Sequence, residues 1–407
     1  LFFPAHNNHL SKQTKGMPKK QFSVLVIAAT YIGTVVGAGF ASGQEVLQFF
    51  GYFGRAGLAG LAITAVLLSA FGYMIMELGR RLQAESHLPV IRYAGGRWIG
   101  SLLDWVTTAF LFGGLVTMGA GAGAIFSEQF GLPFIWGSVI MIGASLFTVL
   151  FGISGVVRSI SLVVPLLLAA VFGVAVYTIA TDFPALLATL RSYSEPSRAP
   201  LPYWPLTTIL YTSYNLVLAI AILAPLGAVT GPNRLKTGAI LGGIGLGIGA
   251  TLINLAILTH IGRAAAYEIP MIMVAGTVSP LVKTVYTLIL LAEVYTTAVG
   301  SLYGFVARLS KQDSPKYRYL TSGAGILALG LSQFGFSNLV GTLFPAVGFA
   351  GLLMLAALAL IFAREKIGKF RLRTVKPVQP SPSLFFHLAE EITEPGDDKD
   401  DDKDIPD

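Results

Sequence analysis

Four glycines, Gly33, Gly37, Gly39 and Gly43, crowd into the apolar stretch "YIGTVVGAGFASGQE". Glycine costs about 1 kcal/mol relative to alanine inside a helix, so the cluster predicts either a helix opened at this point or a small-residue face against another helix. An opened helix exposes amides that face an anion and carbonyls that hold a cation. A second polar set, Tyr211, Thr212, Ser213, Tyr214 and Asn215, sits at the centre of "TTILYTSYNLVLA". It reads as the wall of a pocket or as a polar seam between helices, because polar groups in apolar surroundings need partners. In a third set, "KTVYTLILLAEVYTTAVGSLYGF", Glu293, Thr297 and Ser301 recur every four residues on one helix face, with Thr296 beside them. Hydroxyls and carbonyls are hard oxygen ligands for a small cation such as sodium. Glu293 could instead exchange a proton or serve structure alone, and the threonines could simply bond back to their own helix.

These sets lie inside long apolar segments. Of the 407 residues, 54% are hydrophobic and 12% charged, a balance that would leave large apolar patches on a water-soluble domain. Ten spans of crossing length can be marked, at 23–53, 57–78, 102–130, 133–153, 160–181, 203–226, 237–261, 280–307, 319–334 and 339–362. The expected fold class is therefore all-α integral membrane. The net charge of +7 comes from Lys and Arg placed between spans, which marks topology and not a nucleic-acid surface. Lys19, Lys20, Arg80, Arg81, Arg158, Arg234, Arg308 and the basic run from Arg364 fall on one side if both termini are cytoplasmic. That orientation implies a multi-pass inner-membrane protein with both termini on the cytoplasmic side. Arg55, Arg191, Arg198 and Arg263 are the fewer basic residues opposite.

The sequence divides into an amino-terminal segment (1–21), a membrane domain (22–363) and a tail (364–407) that is basic, then acidic. Met17, ahead of "PKKQF", is a candidate start, and no cleaved signal peptide is indicated. The dense like charge of the tail predicts disorder. Segment 262–279 is apolar enough to lie as a short helix against the domain, in the manner of a lid.

Several residues are weaker candidates. Gln44 and Glu45 follow the glycine cluster and point outward, to gate a pathway or cap the outer half-helix. Glu77 and Asp104 lie near cytoplasmic ends, where snorkelling explains them. His260 lies near an outer end. Phe110, Phe112 and Met118 could line a pocket or simply pack. The runs at 119–124 and 238–250 offer glycine faces for helix packing; neither follows a strand or precedes a Walker lysine, so they are not phosphate loops. There is no cysteine, which excludes disulfides and thiolate metal sites, and no Ser/His or metal-ligand pair at enzymatic spacing appears.

The unusual spans, one and six, hold corresponding positions in two sets of five, and an odd set inverts the second. That arrangement predicts an inverted repeat, with repeat one about 22–181 and repeat two about 203–363. With "TVVGAGFASGQE" in the first span, the chain resembles the YkvI-like family of bacterial membrane proteins over roughly 22–362. That family is grouped with the amino acid–polyamine–organocation superfamily as amino acid permeases. The resemblance implies the five-plus-five fold named after LeuT, with helices one and six broken. It further implies that backbone carbonyls near Gly33 and Val36 meet Thr296 and Thr297 at a sodium site, and that amides of Gly37, Ala38 and Gly39 hold a substrate carboxylate. Tyr211, Ser213 and Asn215 would close the pocket from span six. Glu293 departs from the sodium-coupled pattern, where an alanine-like residue is expected, and keeps a proton in play as the coupling ion. The function expected is cation-coupled symport of an amino acid or similar small solute, without cofactor and with the lipid bilayer as surroundings. The alternatives are a proton-coupled or uncoupled transporter of another solute, or a sensor that binds without flux.

Overall fold

The computed structural model describes residues 22–151, 154–310 and 314–366. Segment 1–21 with Met17, and the tail beyond 366, lie outside the described residues. Among the described residues every regular element is helical. The first expected span is divided into α1 (Val24–Val35), α2 (Ala38–Ser42) and α3 (Gln44–Phe49), closed by a 3-10 turn at Gly51–Phe53. There follow α4 (Arg55–Leu82), α5 (His87–Phe130), α6 (Phe134–Phe151), α7 (Ser154–Thr181), α8 (Phe183–Ser192) and a 3-10 turn at Pro196–Arg198. The second half holds α9 (Trp204–Ala228), α10 (Pro232–Thr259), α11 (Ile261–Ala264), α12 (Pro270–Val278), α13 (Pro280–Leu309), α14 (Pro315–Ser332) and α15 (Phe336–Lys366).

Local chemistry sets these boundaries. Ser23, Ser279 and Ser314 cap α1, α13 and α14 by accepting a backbone N–H of the first turn. Prolines open α9, α10, α12, α13 and α14, where a missing N–H costs nothing. Gly131 ends α5 in the left-handed conformation. Of the helices at the ten expected spans, seven among the described residues, α4, α5, α7, α9, α10, α13 and α15, are each long and apolar enough to cross a hydrocarbon core, and α14 at the ninth is not among them. The first and fourth spans are represented by the shorter apolar helices α1 and α6.

Lipid removes most of the hydrophobic drive between helices, so contact depends on close packing. The α4–α9 crossing illustrates this: a Cβ on Gly227 would lie 1.9 Å from the Met76 carbonyl oxygen, and one on Gly79 would lie 2.1 Å from that of Ala224. Backbone meets backbone there, and only glycine fits on either side. The glycine faces foreseen at 119–124 and 238–250 do pack, the first against Ile142 and Phe134, the second against Ile27 and Tyr31.

One expectation about charged residues is corrected, that for Glu77, and a partner is found for Asp104. Glu77 does not reach toward headgroups: it is buried and accepts from Arg80 and Arg81, and Arg81 also reaches Glu365 at the end of α15 at 2.5 Å. Asp104 pairs with Arg308 at 2.7 Å, with His87 close by. Of the two, only Glu77 is enclosed, and a buried carboxylate needs such fixed partners to offset its desolvation.

The segment foreseen as a lid forms α11 and α12. Its own Ile269, Met271, Ile272 and Val274 are buried against the domain. The Glu268 N–H donates to Glu128 on α5, and the Glu268 carboxylate accepts from the Phe336 N–H at the start of α15, both at 2.6 Å. Burial pushes the Glu268 carboxyl above the usual range, while the amides of Phe336 and Ser337 draw it partly back. His260, outside the spans, lies 3.5 Å from Asp182 and is held below the usual imidazole value by burial.

Candidate functional site

The glycine cluster opens the first span at Val36 and Gly37, both in extended backbone conformation. The last carbonyls of α1 and the first amides of α2 therefore lack helical partners, and no side chain caps α2. At Gly43 the chain turns through φ +79°, a conformation that suits glycine. This second turn swings α3 so that Glu45 folds back toward the opening.

Around the opening lies a cavity of about 290 Å³, bounded by α1, α2, α5, α9, α13 and α15. Its lining includes Gly33, Val36, Gly37, Ala38, Gly39, Asn215, Glu293, Thr296 and Thr297. Thus all four residues named for a cation, and four of the six named for a substrate, come together. Tyr211 and Ser213 do not belong to the lining. Tyr211 stacks against Phe49, Phe50 and Tyr214, with ring centroids 4.9 to 5.5 Å apart. Ser213 donates to the Gly348 carbonyl at 2.7 Å, tying α9 to α15. Ser213 thus fits the polar seam that was the other reading of span six, and Tyr211 packs by its ring.

Span six also departs from the expected break, since α9 runs unbroken from Trp204 to Ala228. It has no glycine at its centre. Thr208, Thr212 and Asn215 bond to carbonyls four residues back, which keeps their polar atoms inside the helix.

The cavity carries two carboxyl groups. Glu293 is 4% exposed, and its Oε2 has no hydrogen-bond partner. The Thr297 hydroxyl lies within hydrogen-bonding reach of the Glu293 carboxyl. Thr296 donates to the Glu293 carbonyl at 3.0 Å, leaving its oxygen lone pairs free for a cation. Glu45, expected to point outward, points in. One oxygen lies over Gly39, where a Cβ would meet it at 1.8 Å, and the other accepts the Tyr214 hydroxyl. The signal missed was glycine at 39 and 43 together: the first makes room for the carboxyl and the second turns it inward.

Aromatic rings form one wall. Tyr214 and Phe344 have centroids 5.1 Å apart, Phe344 and Phe110 5.4 Å, and all three line the cavity. Met118 lines it as well, whereas Phe112 packs on Phe305. At the α3 end the way is shut: α2 and α3 are wholly buried, Gln44 donates to Ser337 Oγ at 2.8 Å and Gln48 to the Ser337 carbonyl at 2.9 Å. Gln44 thus ties α3 to the first turn of α15. At the end of α1, residues 33–35 are only half-buried.

A first apolar span opened at mid-length beside a hydroxyl-bearing helix defines an all-α integral membrane protein of the LeuT-type fold. Solved structures with this arrangement agree. One, MhsT in complex with L-phenylalanine, superposes with a TM-score of 0.59 over 91% of this chain and 95% of that one, at 16% identity. A Na+-coupled sialic acid symporter in a substrate-bound outward-open state superposes with a TM-score of 0.55 over 84% of this chain and 79% of that one, at 13% identity. No family model matches the chain. The sequence is 32% identical to the uncharacterized membrane protein YkvI of Bacillus subtilis (strain 168), over 84% of this chain and 97% of that protein. The chain belongs to the YkvI family of multi-pass membrane proteins.

Proposed function

We propose that the protein is a secondary transporter that moves an amino acid or similar small solute by alternating access, coupled to a cation, in the bacterial inner membrane with both termini cytoplasmic. One observation carries this reading: the opened backbone at Val36–Gly37 shares a single cavity with Thr296, Thr297 and Glu293. Carbonyls of Gly33 and Val36 and the two hydroxyls form the cation ligands. The backbone of Gly37, Ala38 and Gly39, with Asn215, meets the polar part of the solute. The aromatic wall takes its apolar part. Sodium fits the oxygen set; a proton fits the free oxygen of Glu293.

The closed α3 end and the half-buried stretch near α1 describe one of the two alternating states. Exchange requires release of Gln44 and Gln48 from Ser337 and movement of α11 and α12. The test is uptake by purified protein in proteoliposomes, together with melting temperature against amino acids and amines in sodium and in potassium. A ligand at 100 times its dissociation constant stabilises by about 2.7 kcal/mol. Sodium-dependent stabilisation with concentrative uptake supports symport, whereas binding with no flux under any gradient would make the protein a sensor.

A further inference from the structure

We infer that the solute is an organic ammonium compound without a free carboxylate, and that Glu45 and the aromatic wall recognise its charged end; this rests on the reading of the cavity as the solute site. Four observations converge. Glu45 and Glu293 both face the cavity, and among the described residues no Lys, Arg or His lines it. Glu293 is buried, with an oxygen that lacks any partner. Glu45 is buried too, held in place by the Tyr214 hydroxyl, with its second oxygen over Gly39. Tyr214, Phe344 and Phe110 present rings on the same cavity.

Charge decides between the solute classes. Buried carboxylates require positive partners or a bound proton, because an unpaired buried ion is heavily penalised. One ammonium and one coupling cation, sodium or proton, neutralise two carboxylates. A zwitterionic amino acid brings no net charge, so beside two ionised carboxylates and a single coupling cation it would leave one negative charge uncompensated. Its carboxylate would also meet Glu45 at Gly39, the place where the opened backbone would otherwise receive it, and like charges so placed repel. Ring faces beside carboxylates favour an alkylammonium group, which gains from the aromatic quadrupole as well as from the charge. Glu293, beside Thr296 and Thr297, serves the coupling cation.

The experiment uses the full chain in detergent and compares molecules that differ only at the carboxylate: L-phenylalanine, L-phenylalaninamide and 2-phenylethylamine, then L-leucine and isopentylamine. The amines and the amide are expected to raise the melting temperature and to bind at least about tenfold more tightly than the acids, since losing a charged hydrogen bond costs that much or more. Acids binding as tightly as amines overturn the inference, and so does a panel that shifts nothing. Glu45→Gln keeps the shape and the acceptor for Tyr214; it should weaken 2-phenylethylamine by about tenfold to a hundredfold. Unchanged affinity in that variant, at a wild-type melting temperature, removes Glu45 from recognition and sinks the proposal. Uptake separates this from the broader reading: amino acid flux without amine binding refutes only the ammonium class, and amine binding without flux refutes only transport.

Discussion

The first span and the sixth carry comparable densities of polar and small residues, yet one is opened twice and the other is continuous. In the first, glycines occupy the positions where the chain leaves the helix, at Gly37 and at Gly43 with its φ of +79°. In α9 the polar residues are Thr, Ser, Asn and Tyr, and each of Thr212, Ser213 and Asn215 has a carbonyl acceptor within protein. Polar side chains that satisfy themselves leave the helix intact; glycines supply no such bonds and permit the turn. In these two spans, therefore, glycines mark where backbone becomes available, and satisfied polar side chains mark where the helix stays whole.

The sharpest way to break this comparison is to place methyl groups on neighbouring glycines. Gly39→Ala sets a carbon 1.8 Å from the Glu45 carboxylate oxygen and must displace it. Uptake should fall by about a hundredfold, the scale of an ångström-sized misplacement in a site. Gly37→Ala meets nothing within 4 Å, so its uptake should stay near wild type. Equal losses in the two variants would show that helix flexibility, and not room for Glu45, is what the glycines provide.

Glu293→Gln should abolish uptake driven by a pH gradient while leaving binding measurable, if the proton rides on that carboxyl. Unchanged dependence on pH would return the role to sodium. In that case Thr297→Ala should raise the sodium concentration for half-maximal uptake by about tenfold, as for loss of one ligand to a charged group. In α9, Ser213→Ala should lower stability by about 1 kcal/mol through the lost bond to Gly348 and leave solute affinity alone. A changed affinity would mean that Ser213 acts on the cavity after all.

The smallest effect is expected at Glu268, in the segment between α11 and α12. Burial raises its folded value above the ordinary carboxylate range, so the folded protein holds that proton more firmly than the unfolded chain does. The resulting stabilisation is complete below about pH 4.5 and fades as pH climbs through the raised value. Glu268→Gln should flatten this part of the melting-temperature profile by about 1–2 °C, and an unaltered profile would assign the slope to another group.

Much of this was legible in the sequence. Apolar runs announce the spans because lipid demands length and composition together, and an acid amid apolar residues draws attention to Glu293. The opening at Gly37 was readable for the same reason. The inward turn of Glu45 was not, since it depends on two glycines acting at a distance from the carboxyl that they serve. The pairing of Asp104 with Arg308 escaped because its members lie on α5 and α13. The continuity of α9 was concealed by bonds that Thr212 and Asn215 make within their own helix.

The backbone contact of Gly79 and Gly227 bears on how the protein is made. The two positions are separated by roughly 150 residues, which at 5–20 residues per second takes about 7–30 s to translate. During that interval α4 has been synthesised without its mate, and the groove that will receive α9 must be filled by lipid or by the insertion machinery. A nascent chain arrested before α9 should therefore present an orphaned glycine face to quality-control proteases, which would make the second half of the protein the guarantor of the first.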